Sequence, residues 1–205
     1  MNHEKAEPVG RRGRPRRVAP TSGLEPREEI LREAARLFST NGVAGTRITN
    51  IAEAVGVSSS SVYYHFENID AIVEALLTYV VDESAAFATA AARQSGPSTE
   101  RLHALITQHV DRLIAGPYDL WFVVGPSQAD SKRHPAVRKK AQQWRTAVAK
   151  LIQEGVNASE LRAIDPTLAV AAVMGLVYAA LQLRHQGVTI DPAEVADLAV
   201  AALSP

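Results

Sequence analysis

The 205-residue chain contains no cysteine, only two methionines and two tryptophans, and 5% aromatic residues. Without cysteine there are no disulfides, thiolate metal sites or cysteine nucleophiles, and the composition suits a cytoplasmic protein, which is the location expected here. Neither sign of charge is in excess, since 22 Lys/Arg balance 22 Asp/Glu. An apolar start is also missing. Residues 1–23 are polar and arginine-rich, so no secretory signal is expected. The one long uncharged stretch covers residues 166–183, at the lower length limit for a membrane span. It opens on Asp165-Pro166 and includes Thr167, Gly175 and Gln182, so a helix buried in protein is expected and no membrane association.

What is present is an apolar fraction of 46%, enough to build a sizeable core. The zero net charge hides a division. Residues 1–66 hold ten Lys/Arg against seven Asp/Glu, and the remainder twelve against fifteen. Five arginines fall between Arg11 and Arg17 without one acid, which points to a polyanionic partner for this end.

Residues 1–23 carry Pro8, Pro15, Pro20, Gly10, Gly13 and Gly23 and no apolar period, the pattern of a flexible arm. From Pro26 the apolar residues Ile30, Leu31, Ala34, Ala35, Leu37 and Phe38 recur at helical spacing, and Asn41-Gly42 supplies a stop. A short helix follows, with Thr46 as its expected cap, and ends at Gly56. Ser58 caps a second short helix reaching Phe66, and Asn68 opens a long one from Ile69 to Gln94. Further helices are expected near 99–115, 117–124, 134–155, 166–186 and 191–203. No strand alternation or repeat stands out. The predicted class is all-α.

Ala52, Gly56 and Val62 fit a helix-turn-helix. The steep helix crossing needs a small side chain, the tight turn favours glycine, and a branched apolar residue six positions later plugs the second helix against the first. The outer face of 58–65 then presents Ser59, Ser60, Ser61, Tyr63, Tyr64 and His65, all hydrogen-bonding and none acidic. A helix that enters the major groove must avoid carboxylates near phosphates and offer short polar groups to base edges. The same spacing also fits an ordinary helical hairpin.

Residues 28–76, from EEILREAARLFSTNGVAGTRITNIAEAVGVSSSSVYYHF through ENIDAIVEALL, resemble the DNA-binding domain of TetR-type regulators. The resemblance implies a three-helix head over residues 24–67, joined by a long helix to a helical-bundle body over 68–205 that dimerises and binds a ligand. It implies that Thr46 and Arg47 touch backbone phosphate, that Ser58, Ser59, Ser60 and Ser61 lie where the recognition helix meets the groove, and that Tyr63, Tyr64 and His65 grip phosphates or base edges. Ser60 stands where the family frequently has glycine, which alters the expected sequence preference. Ile69 stands where lysine is frequent, which removes one expected phosphate contact.

Arg12-Gly13-Arg14-Pro15-Arg16 resembles the core of an AT-hook, whose extended Gly-Arg-Pro segment fits a narrow minor groove. The plainer reading is a solubilising basic tail. The adjoining helix-turn-helix favours the minor-groove reading for Arg12, Arg14 and Arg16.

Within the body, the last two helices are rich in Ala, Val and Leu on more faces than one core requires, and they are the expected homodimer interface. Phe87, His103, Tyr118, Trp121, Phe122, Trp144, Met174 and Tyr178 are the large or polarisable residues expected to line an effector cavity. Few charges fall on inward faces, which points to an apolar or aromatic effector. His103 and His109, six apart, do not share a helical face, so no metal pair is expected. No cofactor is implied, and no nucleophile motif, phosphate loop or carboxylate pair marks an enzyme. The expected function is a repressor released from a palindromic operator by a small, largely apolar effector. The alternatives are an effector-independent architectural DNA-binding protein and a transcriptional activator.

Overall fold

The computed structural model describes residues 24–124 and 133–205. The arm residues Arg12, Arg14 and Arg16 lie outside the described residues. Among the described residues there are eight α-helices, one 3₁₀ segment and no strand.

The head comprises α1 (Pro26–Asn41), α2 (Ile48–Val55) and α3 (Ser59–His65). Pro26 begins α1, where its missing N–H costs nothing, and Glu28 and Glu29 complement the positive end of the helix dipole. Gly56 ends α2 at φ 75°, ψ 30°, a left-handed conformation that penalises any side chain. Its N–H donates to Glu53 O and that of Val57 to Ala52 O, which closes the helix as a Schellman motif. The turn sets α3 across α2, with Val62 fully buried among Phe38, Ile51, Ala52 and Phe66 of the head core.

The body is built from α4 (Ile69–Ala91), α5 (Ser98–Ile114), α6 (Pro135–Asn157), α7 (Pro166–His185) and α8 (Pro192–Leu203). Asn68 caps α4, its Oδ1 accepting from the Ala71 N–H at 2.9 Å. Helices α4 and α6 run parallel. Arg133 pairs with Asp70 at one end, Lys140 with Asp82 in the middle, and Lys150 donates to Ala92 O at the other end. On the opposite side α5 packs on α8, with His103 Nε2 3.0 Å from Asp197 Oδ1 at the rim.

The segment 117–124, expected as a helix, forms only a 3₁₀ turn, η1 (Trp121–Val124). Asp119 Oδ1 accepts from the Trp121 N–H at 3.1 Å and Ser39 Oγ from the Phe122 N–H at 3.3 Å. These side-chain bonds replace the ladder that would have propagated an α-helix.

The uncharged stretch lies in α7, which packs on α5, α6 and α8. By length and composition it is the one described helix that could cross a membrane, and only 33% of its apolar window is buried in a single protomer. Its inner face is buried in protein through Ala169, Val170, Val173, Val177, Ala180 and Leu181. The exposed face carries Leu168, Ala171, Ala172, Gly175, Tyr178, Ala179 and Leu183, and α8 adds Leu198, Ala201 and Ala202.

Candidate nucleic-acid interface and body cavity

Helix α3 is capped by Ser58, whose Oγ accepts from the Ser61 N–H at 3.2 Å and lies 2.8 Å from both Ser60 Oγ and Ser61 Oγ. The cap spends one hydroxyl on the helix end and draws two others into a local network. Ser58, Ser60 and Ser61 remain exposed. Tyr64 is 86% exposed and Tyr63 55%, values unusual for rings of this size and suited to groups that meet a surface from outside. His65 is half-buried and sets its ring edge-on to Tyr64 at 5.1 Å. The solvent face of α3 carries no charge of either sign before Glu67, so nothing acidic faces a phosphate from the helix itself.

Thr46 and Arg47 differ from expectation. Thr46 is buried, and its hydroxyl donates to Gly42 O at 2.9 Å, so this side chain braces the loop before α2. Arg47 takes the N-cap position that had been expected for Thr46. Its N–H donates to Asn50 Oδ1 at 2.9 Å, which leaves the exposed guanidinium at the start of α2 beside α3.

In the body, a partly open cavity of about 60 Å³ is lined by residues of the four long helices. Leu77, Val80, Val81 and Ser84 come from α4, His109 and Leu113 from α5, Trp144 and Arg145 from α6, and Met174 and Tyr178 from α7. Trp144, Met174 and Tyr178 are therefore brought together, but the other five aromatic or polar candidates are not. His103 is tied to Asp197 at the α5–α8 rim, and Phe87 is partly exposed on α4. Tyr118, Trp121 and Phe122 build the joint between head and body. Phe122 meets Phe38 edge-on at 5.3 Å, Trp121 stacks on His185 at 5.0 Å, and Tyr118 meets Tyr79 at 4.8 Å.

His109 and Ser84 were missed as cavity residues. His109 Nδ1 lies 2.9 Å from Ser84 Oγ, and the imidazole faces the Trp144 ring at 4.5 Å. Burial lowers the His109 pKa to about 4, so the ring is neutral in the folded protein. In the unfolded chain it takes up a proton below about pH 6.5. Acidification through that window therefore favours the unfolded state. Lowering the pH from 7 to 5 is expected to remove about 2 kcal/mol of stability through this one residue. Urea midpoints at the two pH values check this, and His109→Gln should flatten the difference.

An exposed polar recognition helix on a three-helix head, followed by α4 and an all-helical body, defines a helix-turn-helix DNA-binding protein. Residues 30–76 match the family described as bacterial regulatory proteins, tetR family, and residues 95–203 the tetracyclin repressor-like C-terminal domain. The chain belongs to the TetR family of transcriptional regulators. Among solved structures it is similar to AmtR of Mycobacterium smegmatis, with a TM-score of 0.80 and 30% identity over 91% of this chain and 90% of that one. Among curated relatives, the repressor KstR2 of Mycolicibacterium smegmatis is 34% identical over 68 residues, 32% of this chain and 33% of the relative. The regulator TtgR of Pseudomonas putida is 43% identical over 53 residues, 26% of this chain and 25% of the relative. The chain thus spans about a third or less of the length of the curated relatives it matches.

Proposed function

We propose that the protein is a homodimeric repressor that acts in the cytoplasm, binds a palindromic operator through two copies of α3, and is released by a small, largely apolar effector in the body cavity. The observation that carries the reading is the uncharged serine and tyrosine surface of α3, held outward by a buried Val62 and a capped N-terminus. In this reading Arg47, Ser59, Ser60, Ser61, Tyr63, Tyr64 and His65 meet the DNA, and Arg12, Arg14 and Arg16 follow an adjacent minor groove. A pair of heads on a two-fold axis reaches successive major grooves about 34–36 Å apart. The dimer axis passes through the exposed apolar faces of α7 and α8, which would form a four-helix interface. The role is regulation and not catalysis.

An effector shifts the equilibrium between head spacings by its differential affinity for the two dimer states. Helix α4 is the direct link, because Ser84 and its neighbours line the cavity while Asn68 starts the same helix beside α3. The test is a selection of bound sequences from random duplex DNA, followed by titration of the winner. A discrete palindrome is expected. Uniform A·T-rich coverage would favour an architectural protein instead. Tyr64→Ala should weaken binding to the selected site about tenfold or more, in line with loss of one good contact of about 1–3 kcal/mol. Unchanged affinity in that variant would remove α3 from the interface.

A further inference from the structure

We infer that the body cavity recognises a compact, uncharged molecule with an apolar body and one hydrogen-bond acceptor, such as a ketone, ester or ether, and that the Trp144 indole N–H receives the acceptor. This rests on the effector-binding reading above and adds the chemical class of the effector.

Three features of the cavity lead to that class. First, its wall is mainly apolar, with polar groups on Arg145 and Tyr178 and one buried polar spot where Ser84, His109 and Trp144 meet. Second, Ser84 and His109 use their facing polar atoms on each other, while the buried Trp144 Nε1–H has no partner among the described residues. An orphaned buried donor costs free energy that a neighbouring acceptor restores, and a ligand oxygen is such an acceptor. Third, among the described residues no carboxylate lines the cavity, and burial keeps His109 neutral. A charged ligand entering this wall would lose its hydration with no buried counter-charge to replace it. Arg145 is the one cation at the lining among the described residues, and its Nε donates to Gln142 Oε1 on α6.

Size narrows the class further. An apolar cavity of about 150 Å³ takes up benzene, and this one holds about 60 Å³. A six-membered ring therefore enters only by moving a wall. The adaptable wall is Met174 and Tyr178 on α7, and Tyr178 is also exposed on the outer face of that helix. Filling the cavity presses on the helix proposed to hold the two protomers together.

The chain has two tryptophans, so a ¹H–¹⁵N spectrum of the full-length protein shows two indole N–H signals, and Trp144→Phe assigns one of them. Titration with cyclohexanone is expected to move the Trp144 signal downfield and leave Trp121 in place. Trp144→Phe, which keeps the ring and loses the donor, should weaken cyclohexanone binding about tenfold by calorimetry. Ser84→Ala serves as a second variant should Trp144→Phe fail to fold, and it should retain the shift. Butanone, cyclohexanone and acetophenone all leaving the Trp144 signal unmoved at millimolar concentration overturns the inference. So does cyclohexanecarboxylate binding tenfold more tightly than cyclohexanone with dependence on Arg145, which would assign an anionic effector. Operator release is read separately by fluorescence anisotropy of labelled DNA. Ketone binding in a protein that holds no operator would sink the regulator reading and leave the cavity chemistry intact.

Discussion

Leu168→Glu combined with Leu198→Glu is expected to break the proposed homodimer into monomers at micromolar concentration and to lower operator affinity at least a hundredfold. Both leucines are 62% exposed in the single protomer, so their replacement removes little that holds the fold together. In a two-fold interface each substitution acts twice, and the double variant places four carboxylates where four leucines would be buried. Burying one leucine side chain is worth about 1.5–3 kcal/mol, and desolvating an unpaired carboxylate adds to the loss. Even the lower figure, counted four times, exceeds the roughly 4 kcal/mol that separates a micromolar from a nanomolar dimer. A monomer reads one half-site, so the DNA effect follows from the assembly effect without any change in α3. Sedimentation equilibrium gives the first quantity and a gel shift the second. A variant that stays dimeric in the centrifuge places the interface elsewhere.

The head was legible because its determinants are local. Ala52, Gly56 and Val62 lie within eleven residues, and the turn they encode depends on a left-handed glycine and a buried branched side chain, both dictated by short-range sterics. Caps at Ser58 and Asn68 were readable for the same reason. Thr46 shows the limit even there. A threonine just before a helix reads as a cap, yet the loop folds back so that its hydroxyl donates to Gly42 O, and Arg47 takes the N-cap position.

The body was legible only as a set of helices. Aromatic character says that a side chain avoids water, and is silent on which interface receives it. Trp121, Phe122 and Tyr118 were grouped with the cavity on that basis. They instead fill the space between α1, α4 and the end of α7, because Asp119 and Ser39 turn the chain back towards the head. The converse error concerns His109. Its partner Ser84 lies 25 residues away on another helix, and only the packing of α4 on α5 brings them together. A serine and a histidine at those separate places carry no joint signal along the chain.

The head–body joint makes Phe38→Ala the most damaging single truncation expected. Phe38 is 1% exposed and belongs to the head core with Ile51 and Val62, while its ring also meets Phe122 edge-on. Phe→Ala in a core costs about 3–5 kcal/mol from lost transfer energy and the cavity left behind. The aromatic pair adds about 0.5–1.5 kcal/mol beyond area burial. The loss falls first on α2 and α3, since the short helices have little stability apart from the surface they bury on α1. The expected result is hydrogen exchange of the α2 and α3 amides at least a hundredfold faster, with a smaller change in α5 and α6. Phe122→Leu provides the contrast. It keeps a branched apolar group in place of the ring, should cost less than Phe38→Ala, and removes the ring contact between body and head. If the joint transmits the state of the body, Phe122→Leu retains operator binding and loses part of its response to effector. An unaltered response in a folded Phe122→Leu variant would leave α4 as the sole connection between cavity and recognition helix.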